Sequence, residues 1–272
     1  VNYLVKEFEM RKSAQLYKRA QVSKSGSLDM KRIWSYKLQD DLFKRVTTLP
    51  MGKNHGMVML LDWSGSMENV LNDTLKQVIN LAMFCQRIQV PYHVYAFTTD
   101  YKRELSIEDR MKQHEEYIKW RDERFNSNEN ILSNARGFHL FEFFSSKMSS
   151  VEFNNMAKRL LDYRFRWNEN YGTSGTPLNE SLAWCYQNLG KFIKNNNIEK
   201  TTFITLTDGE GGSLSTNRGS RGLDDVSYDS VTHKRIKQKH YIREESTQKT
   251  YEIKRDSTVQ ADVILNMIRD RY

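Results

Sequence analysis

From residue 54 onward, short apolar runs alternate with longer stretches of helical rhythm. Met57-Val58-Met59-Leu60-Leu61 is an unbroken apolar run that stops at Asp62, the pattern of a strand buried on both faces. Residues 67–89 then carry Val70, Leu71, Leu75, Val78, Ile79, Ala82 and Phe84 at helical spacing, and Pro91 ends that helix before a second strand, Tyr92 to Phe97. Strand, helix, strand is a βαβ unit, which builds a parallel sheet. Gly137 to Phe144 predicts a third strand, 149–165 a helix through Val151, Phe153, Met156, Leu160 and Leu161, and Thr201 to Thr207 a fourth strand ending at Asp208. Pro177 occupies the favoured first turn of another helix. A strand over 249–254 and a helix over 257–271, through Val259, Val263, Ile264, Met267 and Ile268, close the pattern.

The expected fold class is therefore α/β: a doubly wound, mainly parallel sheet flanked by helices, Rossmann-like in its winding. Two stretches break the rhythm. Residues 99–136 are highly charged and read as an insertion with an exposed helix over 107–124, and residues 209–247, rich in Gly, Ser and charge, read as a long loop. Residues 1–53 form a helical N-terminal extension in this reading: a weak rhythm through Leu4, Phe8, Ala14, Tyr17 and Val22, a break at Gly26, then one or two short helices over 28–46. Pro50, Gly52 and Gly56 mark the loop that separates it from a domain over 54–272.

Composition narrows the function classes. The chain carries 12% aromatic residues beside 28% charged, enough for a folded core with much surface. No run approaches the roughly 18 apolar residues of a membrane helix, and the N-terminus lacks the basic-then-apolar pattern of a signal peptide. Cys85 and Cys185 lie inside helical patterns with no CxxC spacing, as reduced core thiols of a cytoplasmic protein would. The net charge of +8 is concentrated at the start, where residues 1–53 hold twelve Lys/Arg against five Asp/Glu. The lysines are scattered and no nucleic-acid motif accompanies them, so a solvated face accounts for them better than nucleic acid. No HExxH or GxxxxGK[ST] occurs, and Gly172-Thr173-Ser174-Gly175-Thr176 departs from the GxSxG nucleophile elbow at its last position. The six histidines show no ligand spacing; His55, just before the first strand, is the one expected near the strand-end loops. Glu210 is a candidate catalytic acid only if the chain is a hydrolase.

The chemistry lies in three loops. Asp62-Trp63-Ser64-Gly65-Ser66 sits where a buried strand turns into a helix, Thr176 opens a later helix, and Thr207-Asp208-Gly209 ends a later strand. In an open parallel sheet, loops at the carboxyl ends of neighbouring strands meet at one edge. Carboxylates and hydroxyls converging there are hard oxygen ligands, suited to Mg²⁺, Ca²⁺ or Mn²⁺.

This set resembles the metal-ion-dependent adhesion site (MIDAS) of von Willebrand factor A (VWA) domains. The resemblance implies metal ligands at Asp62, Ser64, Ser66, Thr176 and Asp208, with Ser64, Ser66 and Thr176 binding the ion directly and the aspartates directly or through water. Lys53-Asn54-His55-Gly56, Asp62 through Met67, Gly175-Thr176-Pro177-Leu178-Asn179 and Leu265-Asn266-Met267-Ile268-Arg269-Asp270-Arg271 are further similar to the VWA region of the CobT subunit family of aerobic cobaltochelatase, including relatives in tailed bacteriophages. That resemblance, over residues 54–272, implies a non-catalytic subunit beside a ring-forming AAA+ ATPase and a client that offers an Asp or Glu to the metal. The long acidic region preceding the VWA domain in that family is replaced here by a basic start. A stand-alone ligand-binding domain and a metal-dependent hydrolase are the alternatives. The Val at position 1, and the lack of an apolar run after the helix over 257–271, lead to the expectation of a piece truncated at its C-terminus.

Overall fold

The computed structural model describes residues 1–18, 21–28, 30, 43–48, 54–99, 108, 111–112, 114–116, 118–119, 132–133, 138–166, 171–209, 211–216, 226–228, 235–237 and 239–272. The chain divides into two compact units, Val1–Asn54 and His55–Tyr272.

The first unit contains α1 (Asn2–Lys18), where Arg11 Nε bonds Glu7 one turn away at 2.9 Å, and two strands, β1 (Gln21–Leu28) and β2 (Phe43–Thr48). These pair antiparallel with Val22 opposite Thr47. Among the described residues, the helical N-terminal extension expected from the sequence is corrected: it is helical to Lys18 and extended over Gln21–Leu28 and Phe43–Thr48. Val46, Thr47 and Thr48 are β-branched and stiff at χ1, which favours extended backbone. Residues 31–42, the middle of the expected short helices, lie outside the described residues.

The second unit is mixed α/β, with a four-stranded, mostly parallel sheet flanked by helices. Its strands are β3 (His55–Asp62), β4 (Tyr92–Thr99), β6 (Phe138–Ser145) and β7 (Lys200–Leu206), in the order β6-β4-β3-β7. β3 runs parallel to both neighbours, while β6 is antiparallel to β4. Because side chains alternate along a strand, β3 sends Met59 and Leu61 into one core and Val58 and Leu60 into the other. In β6 the register shifts between Val94 and Tyr95 of the partner strand. This bulge turns consecutive residues Phe143 and Phe144 into the same core.

Helices cover both faces. α2 (Leu71–Arg87) buries Leu71, Leu75, Val78, Ile79, Ala82 and Cys85, one stripe at helical spacing. It shares the first core with α3 (Ser150–Leu161), which buries Phe153 and Leu160 and starts at a capping box between Ser149 and Glu152. On the other face α4 (Leu178–Asn195) and α5 (Ser257–Arg271) bury Leu182, Cys185, Leu189, Ile264 and Ile268. Each fully buried aliphatic side chain contributes about 1.5–3 kcal/mol. Asp256 caps α5, accepting from the Thr258 and Val259 amides at 2.9 and 3.1 Å.

In the expected insertion 99–136, the described residues between 108 and 119 are helical, and β5 (Leu132–Ser133) pairs with β8 (Ser215–Thr216) from the second insertion. Beyond β8, β9 (Val226–Tyr228) pairs with β10 (Arg235–Lys237), and β11 (His240–Arg243) with β12 (Thr250–Ile253). The long loop expected over 209–247 therefore carries short strands. Its ends are built into the core: Leu214 and Glu244 are buried, and Glu244 accepts from the Tyr186 hydroxyl at 2.6 Å. Cys85 and Cys185 are free and buried, their thiols pushed up to about 12 by burial. Among the described residues, no helix is long and apolar enough to cross a membrane.

Candidate metal centre

Sheet register brings the acidic loops together. Leu61 pairs with Leu206, so the next residues, Asp62 and Thr207, leave the sheet side by side, and Thr207 Oγ1 donates to Asp62 Oδ2 at 2.6 Å. Asp208 follows Thr207 directly. Beyond Asp62 the chain rises over the sheet edge: Ser64 and Ser66 hydroxyls lie 3.0 Å apart, and Ser66 Oγ donates to Asp208 Oδ1 at 3.1 Å. Four of the five expected ligands, Asp62, Ser64, Ser66 and Asp208, thus stand in one small cluster.

Thr176 belongs to a loop that is clasped onto this one. Ser64 and Ser174 form a parallel bridge, with the Gly65 amide donating to the Ser174 carbonyl at 2.9 Å. Trp63, fully buried, fixes the loop from behind: its Nε1 donates to the Tyr171 carbonyl at 2.7 Å and its ring meets Phe143 edge-on at 5.0 Å. Thr98 and Thr99 at the end of β4 complete the clasp. Thr98 Oγ1 accepts the Ser174 amide at 3.1 Å, and Thr99 Oγ1 accepts the Gly175 amide at 2.9 Å while donating to Ser174 Oγ at 3.1 Å. A Cβ at Gly175 would stand 2.8 Å from Thr99 Oγ1, so a side chain there has to displace the threonine. Thr176 is half-buried two residues beyond the bridge, its carbonyl held by the Gly212 amide at 3.1 Å. Its side chain is not part of the hydrogen-bonded chain among the described residues.

Burial grades across the cluster. Asp62 and Ser64 are buried, whereas Ser66 and Asp208 are exposed. Asp62 Oδ1 is buried with no hydrogen-bond partner. Burial raises the Asp62 carboxyl above its ordinary value, and the nearby Asp208 charge adds to the rise; the Thr207 hydroxyl and the neighbouring Ser64 offset part of it. A buried carboxylate oxygen without a donor is costly, and a cation is one group that would satisfy it. Every donor is a hydroxyl or carboxylate oxygen, the chemistry of a hard divalent ion. Among the described residues no three His, Cys, Asp or Glu side chains cluster, so the carboxylates here are two and hydroxyls must supply the rest. The donors fit Mg²⁺, Ca²⁺ or Mn²⁺.

One expectation changes. His55 opens β3 and Asp62 closes it, so at ~3.3 Å per residue the histidine stands about 23 Å from the cluster, at the opposite sheet edge. Glu210 lies outside the described residues. Sequence reading also passed over Thr98, Thr99 and Ser174; the signal was there in two threonines directly following the second apolar strand, at the edge where the loops converge.

No family model matches the sequence, and no curated protein matches it. Among solved structures the chain is similar to the pilus adhesin SpaC from Lactobacillus rhamnosus GG in its open conformation, at 15% identity and a TM-score of 0.42, over 81% of this chain and 23% of that one. The chain thus spans about a quarter of the adhesin's length.

Proposed function

We propose that the chain is a VWA-type interaction module that holds one divalent ion, Mg²⁺ first among candidates, through Asp62, Ser64, Ser66, Thr176 and Asp208. The observation that carries this reading is the buried, partnerless Asp62 Oδ1 beside a line of hydroxyls leading to an exposed carboxylate. When bound, the ion supplies a concentrated positive charge that attracts a carboxylate. Mg²⁺ takes about six oxygens, more than these five side chains offer as single donors, so water or a partner's Asp or Glu completes the shell. The exposed side of the cluster, at Ser66 and Asp208, gives that partner access.

The resemblance to the CobT family extends the reading to a cytoplasmic subunit working beside an AAA+ ATPase in a chelatase-type or remodelling complex, in which the client offers the carboxylate. Two experiments test it in turn. Calorimetry with MgCl₂ on the folded chain is expected to show one site; no binding at millimolar metal refutes the metal reading. Pull-down of a purified cobaltochelatase-type AAA+ subunit is expected to depend on Mg²⁺ and to fail in EDTA. Retention in EDTA, or no retention in Mg²⁺, refutes the partner reading and leaves the metal reading to stand on calorimetry.

A further inference from the structure

The segment that leaves Asp208 is strapped by two buried side-chain amides. At Gly212 both backbone groups are taken: the amide donates to the Thr176 carbonyl at 3.1 Å, and the carbonyl accepts Asn179 Nδ2 at 2.9 Å. Two residues on, the Leu214 amide donates to Gln260 Oε1 at 2.6 Å and its carbonyl accepts Gln260 Nε2 at 3.4 Å. The two amides also join each other and the first turn of α5: Asn179 Nδ2 donates to the Ser257 carbonyl at 3.0 Å and reaches Gln260 Oε1 at 3.4 Å, and Gln260 Nε2 donates to the Lys254 carbonyl at 2.9 Å. Asn179 and Gln260 are both 0% exposed. Gly211 packs so tightly on α4 that a Cβ there would lie 2.5 Å from Leu178 Cβ.

Burying two amides in an apolar layer is costly unless their hydrogen bonds are made. Here Asn179 Nδ2 and both ends of the Gln260 amide spend their bonds on each other and on the backbone of residues 212–214 and 254–257, while Asn179 Oδ1 is buried without a partner. Gln260 offers Leu214 the donor and acceptor that a neighbouring strand would otherwise supply. Asn179 lies on the opening turn of α4, three residues after Thr176 in the loop that leads into it, so one short segment carries a candidate ligand and the anchor for the loop that follows Asp208.

We infer that Asn179 and Gln260 are positioning residues for the metal edge. Neither touches the ion. They pin residues 212–214 to α4 and α5, which fixes the Thr176 carbonyl through Gly212 and limits how far Asp208, four residues upstream of Gly212, moves from Ser66. The inference rests on the metal reading above.

The test uses the full chain with Gln260→Met, Asn179→Ala and, as a control, Leu189→Ala, a buried position on the same helix about 15 Å beyond Asn179 by helical rise. Magnesium affinity is measured by calorimetry, folding by circular dichroism, and amide exchange at Gly212 and Leu214 in metal-free protein. Both strap variants are expected to keep the fold, to lose protection at Leu214, and to bind Mg²⁺ about 10-fold or more weakly, the loss typical of outer-shell partners. Leu189→Ala is expected to melt lower with its affinity within about twofold of wild type, as a change with no link to the ligands would. Unchanged affinity in both strap variants while wild type binds overturns the inference, as does an equal loss in Leu189→Ala. A wild-type chain that binds no Mg²⁺ overturns instead the metal reading on which the inference rests.

Discussion

Replacing Asp62 by Asn separates the carboxylate's charge from its shape. The side chain is fully buried at the end of β3, with Oδ2 held by Thr207 at 2.6 Å and Oδ1 unpartnered. Because burial raises its pKa above the ordinary 3.8, the folded chain holds the proton more tightly than the unfolded chain. The contribution of Asp62 to metal-free stability is therefore fully present below the unfolded value and is lost as pH rises from 3.8 through the raised folded value. The Asn variant removes that fall, and at neutral pH without metal it is expected to melt at or above the wild-type temperature. With Mg²⁺ the order reverses. A ligand that binds only the folded state at a hundred times its Kd adds about 2.7 kcal/mol. At roughly 2–4 °C per kcal/mol for a domain of this size, wild type should gain about 5–10 °C. Asp62→Asn should gain almost nothing. The assay is a melting series in EDTA and in MgCl₂ across pH. A variant that gains as much as wild type shows that Asp62 is not a ligand. A metal-free variant melting far below wild type shows that the charge is structural and that the unpartnered oxygen is no sign of a bound cation.

Three other outcomes follow from the same geometry. Trp63→Ala removes a fully buried ring and the bond to Tyr171; a loss of about 3–5 kcal/mol in denaturant unfolding is expected, and a loss under ~1 kcal/mol would contradict the role given to the clasp. Gly175→Ala forces a methyl to within 2.8 Å of Thr99 Oγ1, so Mg²⁺ titration should show weaker binding at little cost to melting; unchanged affinity means that the Thr99 clasp does not set the position of Thr176. The Tyr186 hydroxyl, foremost, with Thr247 and Ser246, holds the Glu244 carboxyl well below the ordinary 4.5. Its contribution is present above that value and lost as pH falls toward the depressed folded value, so Glu244→Gln should flatten the acid side of the stability curve, and an unaltered acid limb would show that Glu244 is not among the groups governing it.

What the chain's own order of residues determined is local. The run Met57 to Leu61 specified a strand buried on both faces, the stripe from Leu71 to Ala82 a helix over that sheet, and Pro177 the start of another helix. Periodicity in burial is written along the chain, so these elements were legible, and so was the convergence of Asp62, Ser64, Ser66 and Asp208, because parallel strands bring their carboxyl ends to one edge. Pairing decided the rest. Phe43–Thr48 became a strand against Gln21–Leu28 because a partner satisfied its backbone. The antiparallel direction of β6 and its bulge came from matching Phe143 and Phe144 to a core built by distant helices. Register set Thr207 against Asp62, and the extended backbone of β3 carried His55 to the far edge. The Thr98–Thr99–Ser174 clasp joins residues 75 and 76 positions apart and the Asn179–Gln260 strap reaches over 33 to 81 positions, and hydrogen bonds over such separations leave no periodic trace in sequence. Local patterns therefore chose the elements and the ligand types, while long-range pairing chose which oxygens meet.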